Sequence, residues 1–522
     1  MASDSIHEKD PKHEVVIVKT AIGDEAFQQA MIKEPPPKLA APILIFASMV
    51  AFCCSTANGY DGSLFGTLLS TDDFKAFFGV DNKGIEAGIV TSMYQIGSVV
   101  AIPLVGPCID TWGRRVGMTI GAWIIIVGVV IQLACYTNAS VGQFMAGRFF
   151  LGFGVSIAAA AGPTYVVEVS HPAHRGIITG LYNVMWPVGA LVASSAVRGG
   201  WNYQGTNTSW MIPVGLQLMF PCVIGFCAML LPESPRCEWV KLQLHEYEEH
   251  LEMDGSDKRW WDYRALFSTR AAFYRLTCNC LVSLFGQWAG NSIVSYYLSA
   301  FLDTAGIKDG RQQNDVAMGM NAVQIAFAAL GATFTDTVGR RPMLLIVNVV
   351  CALCWIGVTV PASIANITDL DDKSQTDAVT PPVSKAILAW VYLFQIFYSV
   401  GWTPLQALYP VEVLSYEMRA KGMAFSSLFT NAAMLVMQFG IPVALKNIAW
   451  KTYIVFCIWC VIQSIILYFL VPETKNRTLE ELDFIFSSPS PVKASKQKKV
   501  FEADANANIV HIEPATASPS AA

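Results

Sequence analysis

The hexapeptide Asp110-Thr111-Trp112-Gly113-Arg114-Arg115 returns far downstream as Asp336-Thr337-Val338-Gly339-Arg340-Arg341. Each copy lies between two long apolar segments, the second of which begins just after the arginines. A single polar turn with two arginines is common at any membrane surface. Two copies in the same hydropathy context mark a duplicated membrane unit, because self-similarity at a fixed place in the pattern is the signature of a repeated fold.

Composition agrees. The chain of 522 residues is 53% hydrophobic and only 14% charged, where soluble domains carry roughly a quarter charged residues. A soluble globule is excluded. Most of the thirteen cysteines sit inside apolar runs, where cysteine behaves as a small hydrophobe rather than as part of a disulfide framework. Cys351 and Cys354 form a C-x-x-C within an apolar segment and lack partner ligands, so no metal is expected. The first forty residues are polar and end in Pro35-Pro36-Pro37, so no cleavable signal peptide is expected.

Residues 1–40 read as a disordered cytoplasmic tail with too few apolar groups for a core. Stretches long enough to span a bilayer follow, near 43–68, 85–108, 117–137, 143–166, 177–197 and 211–231, then near 272–301, 317–335, 342–362, 384–410, 421–446 and 452–471. This predicts an all-α membrane protein of twelve transmembrane helices in two six-helix bundles, 41–231 and 272–471. A charged linker at 232–271 joins them, with interfacial helices expected around Trp260 and Trp261, and 472–522 form a cytoplasmic tail. Lys and Arg crowd the loops that hold Arg114, Arg115, Arg175, Arg340, Arg341 and Arg419. That side is therefore assigned to the cytoplasm, with both termini.

Two further motifs recur at the same ends of the spans. Glu168 precedes Arg175 by seven positions, as Glu412 precedes Arg419. Pro232-Glu233-Ser-Pro-Arg236 is matched by Pro472-Glu473-Thr-Lys475. Loops that only set topology need no fixed carboxylate spacing. These carboxylates, with Asp110 and Asp336, are expected to meet the arginines of neighbouring helices when the cytoplasmic side is closed and to part when it opens.

The set resembles the sugar porter family of the major facilitator superfamily. The residues that carry the resemblance are Asp110–Arg115, Gly147-Arg148-Phe-Phe-Leu-Gly152-Phe-Gly154, Glu168–Gly176, Pro232–Arg236, Asp336–Arg341, Glu412–Gly422 and Pro472-Glu473-Thr474, spread over about 60 to 475. The stretches from Gln287 to Tyr297 and from Pro404 to Arg419 look most like fungal lactose-permease-type and cellodextrin-type sugar:proton symporters. The resemblance implies two bundles rocking about a central site.

Asp61, in Gly59-Tyr60-Asp61-Gly62, and Arg148 are the exceptions to a rule that charge lies at span ends. An ionisable group within a span is costly and is a functional hypothesis by default. The two can pair when Asp61 is ionised, and protonation of Asp61 would release Arg148. The resemblance implies the same role, since proton-coupled members carry an acid and an arginine at the matching positions. Facilitators of the family often have asparagine at the acidic one.

A sugar needs amides for vicinal hydroxyls and aromatic rings for its C–H faces, set in mostly apolar walls. Gln287 and Asn291, four apart, are expected on one helix face, with Tyr296 and Tyr297 further along. Asn183 and Trp186 are expected to share a face of the fifth span. Gln324, Gln406 and Asn431 are further candidates, beside the other span amides Gln95, Asn321, Gln395 and Gln438, and the resemblance adds Ser292 at the family's asparagine position. It also implies departures: Gly286 stands for the first of two consecutive glutamines, Asn183 for a glutamine and Ala407 for a tryptophan. These point to a roomier site and a disaccharide such as lactose or cellobiose, with a hexose as the alternative.

The expected partners are a sugar, a proton and the bilayer, without cofactor, metal or nucleic acid, for a monomer in the plasma membrane. No nucleophile–base pair or phosphate loop suggests an enzyme. Alternatives are a facilitator, a carrier of a polyol, quinate or secondary metabolite, and a non-transporting nutrient sensor.

Overall fold

The computed structural model describes residues 40–79, 85–169, 175–231, 264–365, 381–414, 419–475, 479–495, 499–503 and 509–514. The expected N-terminal tail and most of the linker, with Glu233 and Arg236, lie outside these residues.

Apolar backbone can cross a bilayer only with its N–H and C=O groups paired internally, so long apolar segments become helices. In the first half these are α1 (Ala40–Leu68), a short α2 (Asp72–Phe78), α3 (Ile85–Thr111), α4 (Arg114–Ala134), α5 (Val141–Val169) and α6 (Arg175–Gly200). The sixth crossing is split into α7 (Thr208–Leu216) and α8 (Met219–Cys227). The seventh is split into α9 (Arg270–Trp288), α10 (Asn291–Tyr296) and α11 (Leu298–Thr304). Then come α12 (Gly310–Val338), α13 (Arg340–Ala365), α14 (Pro381–Val413), α15 (Arg419–Ile448) and α16 (Thr452–Leu470). Among the described residues twelve crossings result, in the six-plus-six order expected from hydropathy. Eight stretches among the described residues are long and apolar enough to span a membrane by themselves.

The tail is not featureless. It holds α17 (Leu479–Ser487), α18 (Pro491–Ala494) and a two-stranded antiparallel hairpin, β1 (Lys499–Ala503) with β2 (Ile509–Pro514). Leu482, Ile485 and Phe486 of α17 join the core of the second bundle. Arg275 at the foot of α9 pairs with Asp483 and lies over the Phe486 ring at 4.8 Å. An amphipathic stretch at the membrane edge is thereby packed into the bundle.

Each half has its own buried core. Helices in lipid gain little from hydrophobicity and associate through close packing at small residues. A Cβ on Gly59 of α1 would fall 1.9 Å from the Trp186 carbonyl of α6, and one on Gly189 of α6 would fall 2.0 Å from that of Thr56. This reciprocal contact holds Trp186 against α1.

The halves meet at the end opposite the arginine motifs. Backbone approaches backbone at Gly66 with Ser295 and Tyr296, and at Gly88 with Gln438. Asn314 Nδ2 donates to the Ser194 carbonyl at 3.0 Å, and Arg198 pairs with Asp315 at 2.7 Å. That end is closed.

Candidate functional site

A cavity lies between the bundles, lined by Ser63, Gly66 and Thr67 of α1, Trp186 and Ala190 of α6, Val294, Ser295 and Leu298 of the seventh crossing, Ala317, Met320, Asn321 and Gln324 of α12 and Gln395 of α14. Of the candidate sugar contacts, Trp186, Asn321, Gln324 and Gln395 line it. Its other polar groups, Ser63, Thr67 and Ser295, are hydroxyls that carried no distinguishing sequence signal. A larger apolar depression, from Leu435 to Ile448 on α15, shares no lining residue with this cavity.

The seventh crossing differs from expectation. Gln287 and Asn291 do not share a helix face, because α9 ends at Trp288 and α10 starts at Asn291. Gly290 between them has φ 107°, in the left-handed region. A Cβ there would also lie 2.3 Å from the Trp355 ring. Only glycine fits both conditions. The Ala289 carbonyl beside the break accepts from Trp355 Nε1 at 2.9 Å, as broken membrane helices require. Gln287 is buried, and its backbone carbonyl accepts from the Ser292 hydroxyl at 3.1 Å. Asn291 Oδ1 accepts from Ser295 at 3.3 Å. Asn183 and Asn431 are half-buried. None of these five lines the cavity.

The expected extra room at Gly286 is also absent. A Cβ at Gly286 would lie 2.8 Å from the Gln406 carboxamide, which fills that space and reaches the Ser283 carbonyl at 3.5 Å. An amide from the tenth crossing takes the place of one missing from the seventh.

Asp61 and Arg148 are both buried, at 1% and 2% exposure, yet they form no ion pair with each other. Arg148 stacks over Phe65 at 4.6 Å and Tyr94 at 5.6 Å, contacts that cations make with ring faces. Asp61 Oδ1 instead accepts from Gln217 Nε2 at 3.1 Å. Gln217 sits at the break between α7 and α8. There the helix tightens, with Gln217 N donating to Val214 O at 3.2 Å. The Pro213 carbonyl, one turn back, accepts from Tyr60 Oη at 2.8 Å. Sequence inspection missed Gln217, since nothing in Gly215-Leu-Gln-Leu-Met219 distinguishes it from an amide in a continuous span. Pro213, four residues before, was the available signal.

At the motif end, Arg340 Nε and Nη2 grip Glu412 at 2.6–3.1 Å. Glu473 accepts the backbone N–H groups of Arg340 at 2.9 Å and Arg341 at 3.1 Å, which caps the N-terminus of α13. Thr474 donates to Glu412 at 2.6 Å, and Arg341 Nη2 to the Tyr468 carbonyl at 2.6 Å. The first half repeats the plan. Arg114 donates to the carbonyl five residues before it at 3.2 Å, as Arg340 does at 3.3 Å, and Gly113 and Gly339 share φ values of 93° and 101°. Arg115 donates to the Leu231 carbonyl at 2.8 Å. The side chains of Asp110, Glu168, Arg175, Asp336 and Arg419 lie outside the described set. The contacts seen tie helices of one bundle together.

A family model described as "Sugar (and other) transporter" matches residues 47–486. The chain therefore belongs to that family, the sugar porters of the major facilitator superfamily, and is a transporter rather than an enzyme. It is 28% identical over 460 residues to a high-affinity glucose transporter of Kluyveromyces lactis, covering 81% of this chain and 82% of the relative. It is 23% identical over 483 residues to a quinate permease of Emericella nidulans, covering 85% and 88%. Among solved structures, the inward open conformation of the xylose transporter XylE from E. coli superposes with a TM-score of 0.66 at 16% identity, over 85% of this chain and 99% of that one.

Proposed function

We propose that this protein is a sugar:proton symporter working by alternating access, with Asp61 as the proton site. One observation carries the proposal. Asp61 is buried inside the first crossing, touches an amide rather than a cation, and has one oxygen, Oδ2, without a protein partner. An isolated carboxylate at such a place is costly, and taking up a proton removes the cost. A solved relative by fold is described as a proton:xylose symporter, which supports the reading.

The substrate is a neutral polyhydroxylated molecule. The cavity lining offers hydroxyls, carboxamides and the Trp186 indole, and none of the lining residues is charged. This favours a sugar over a carboxylate such as quinate, despite relatives of that name. The disaccharide expectation rests on shortened side chains at 286, 183 and 407. Gln406 fills the first of these, so the proposal covers a hexose equally. The arginine-rich motif end is assigned to the cytoplasm on its Lys and Arg content, which puts both termini there and the closed end outside. The plasma membrane is the proposed location.

The test is radiolabelled uptake in a yeast without its own hexose and lactose carriers. The panel is glucose, xylose, lactose, cellobiose, a polyol and quinate, each with and without a protonophore. Expected are accumulation of one sugar above its external level, a rate that rises as external pH falls, and loss of accumulation with protonophore or in Asp61→Asn. Exchange of labelled for unlabelled sugar survives in Asp61→Asn. Equilibration indifferent to the protonophore makes the protein a facilitator and Asp61 structural.

A further inference from the structure

We propose that Gln217 is the positioning residue of the proton site, holding Asp61 in both of its protonation states and linking it to the broken sixth crossing. The inference rests on the proton-coupled reading of Asp61. Gln217 is 1% exposed, and its carboxamide meets Asp61 Oδ1 at 3.1 Å. It comes from the turn between α7 and α8, where the ladder of i to i−4 hydrogen bonds is interrupted.

The chemistry of the amide is what fits. An ionised carboxylate only accepts, and the Gln217 NH2 donates to it. A protonated carboxyl also donates, and the amide carries an oxygen, Oε1, that has no protein partner. Rotating the terminal amide by half a turn offers that oxygen to the Asp61 proton. No apolar side chain can serve either state, and a second carboxyl at this place would compete for the proton. The same break is tied to Asp61's neighbour: Tyr60 Oη holds the Pro213 carbonyl at 2.8 Å. Two consecutive residues of α1 thus grip the sixth crossing at its interruption and one turn before it. The other ionisable groups facing Asp61 are Tyr60 on its own helix, Tyr94 on α3 and Arg148 on α5. None of them bonds to it in this structure, so Gln217 is its direct contact.

The experiment measures uptake against external pH in the same yeast, with radiolabelled glucose, xylose, lactose and cellobiose, for wild type, Gln217→Met, Gln217→Glu and Asp61→Asn. Methionine keeps the volume and removes both donor and acceptor. A hydrogen bond to the ionised carboxylate contributes about 1.5–3 kcal/mol and one to the neutral carboxyl about 0.5–1.5 kcal/mol, so losing both moves the alkaline limb of the uptake profile upward by the difference, about one pH unit. The sign follows from losing a donor that stabilised the ionised form, which lets Asp61 load at lower proton concentration. Exchange of labelled for unlabelled sugar, which requires a folded carrier but no net proton movement, is retained in Gln217→Met. Gln217→Glu displaces the profile as well, because two carboxyls then share one site. An unmoved profile in Gln217→Met, with wild type still protonophore-sensitive and Asp61→Asn uncoupled, overturns the role of Gln217 alone. A wild type indifferent to protonophore, with Asp61→Asn unchanged, overturns the proton site and this inference together.

Discussion

The Arg340–Glu412 pair permits a quantitative test of what holds the motif end together. Arg340 is 9% exposed at its side chain and Glu412 21%, so bulk water screens the pair weakly. Three guanidinium–carboxylate contacts of 2.6–3.1 Å make the grip two-pronged. Charge-assisted hydrogen bonds contribute about 1.5–3 kcal/mol net each, and desolvation of both ions removes part of the sum. A coupling energy of about 2–3 kcal/mol is the expected balance. The single changes are unequal. Arg340→Met leaves the Glu412 carboxylate with only the Thr474 hydroxyl as a described partner and costs about 3–5 kcal/mol. Glu412→Gln leaves a neutral amide that still accepts from Thr474, and it costs less. The assay is a double-mutant cycle on purified protein, unfolded reversibly in mixed micelles with increasing SDS. The double variant is expected to be more stable than the sum of the singles predicts. Additivity within about 0.5 kcal/mol would refute the reasoning, since it is what independent sites give.

Gly290→Ala is expected to abolish folded protein in detergent chromatography, because φ 107° and the Trp355 ring at 2.3 Å both oppose a Cβ; folding with normal thermal stability would show that the break tolerates other geometries. Trp186→Ala and Gln324→Ala are each expected to raise the KM for the transported sugar about tenfold or more with little loss of surface protein, as removal of a stacking face or a paired amide does; unchanged KM in both would place the sugar elsewhere. Reversing Arg198 or Asp315 alone is expected to shift the carrier away from the closed far end, read as faster labelling of a cysteine placed at Thr67, which lines the cavity, with the double reversal restoring the wild-type rate. That pair is partly exposed, and a screened pair of this kind is worth about 0.2–1 kcal/mol, so each single shifts the population by up to about fivefold.

Most of the architecture was legible because bilayer thickness and backbone pairing leave few choices. Span positions read from hydropathy agree with the helices to within several residues at most ends. The hexapeptide repeat located two ends that superpose down to the φ of Gly113 and Gly339. The breaks were not legible. Hydropathy averages over about twenty residues and is blind to where a helix stops within an apolar run. Gly290 and Pro213 looked like the ordinary glycines and prolines of membrane helices. A face argument across residues 287–291 therefore failed, and Gln217 was passed over. The replacement of a missing side chain at Gly286 by Gln406 depends on two helices 120 positions apart in sequence, which no local pattern records.

The two ends of the molecule are built from different interactions, and this changes what the charged motifs do. At the far end the bundles touch through backbone at Gly66 and Gly88, with few side-chain bonds such as Asn314 to Ser194. Such contacts separate without stranding many buried polar groups. At the motif end the described bonds of Arg340, Arg341, Glu412, Glu473 and Thr474 all fall within the second bundle. Breaking them would leave charges unpaired at several kcal/mol apiece. A network this costly to open suits a part that stays assembled while something else moves. We infer that the second-half motif braces its own bundle as a rigid body, with reversible closure left to the sparsely bonded surfaces between the bundles. The sequence spacing asks only that the arginines meet carboxylates of neighbouring helices, as Arg340 meets Glu412. A latch between the bundles at the motif end would need the same arginines to exchange partners across the halves. The grip on Glu412 and the cap on α13 would then have to be surrendered in every cycle.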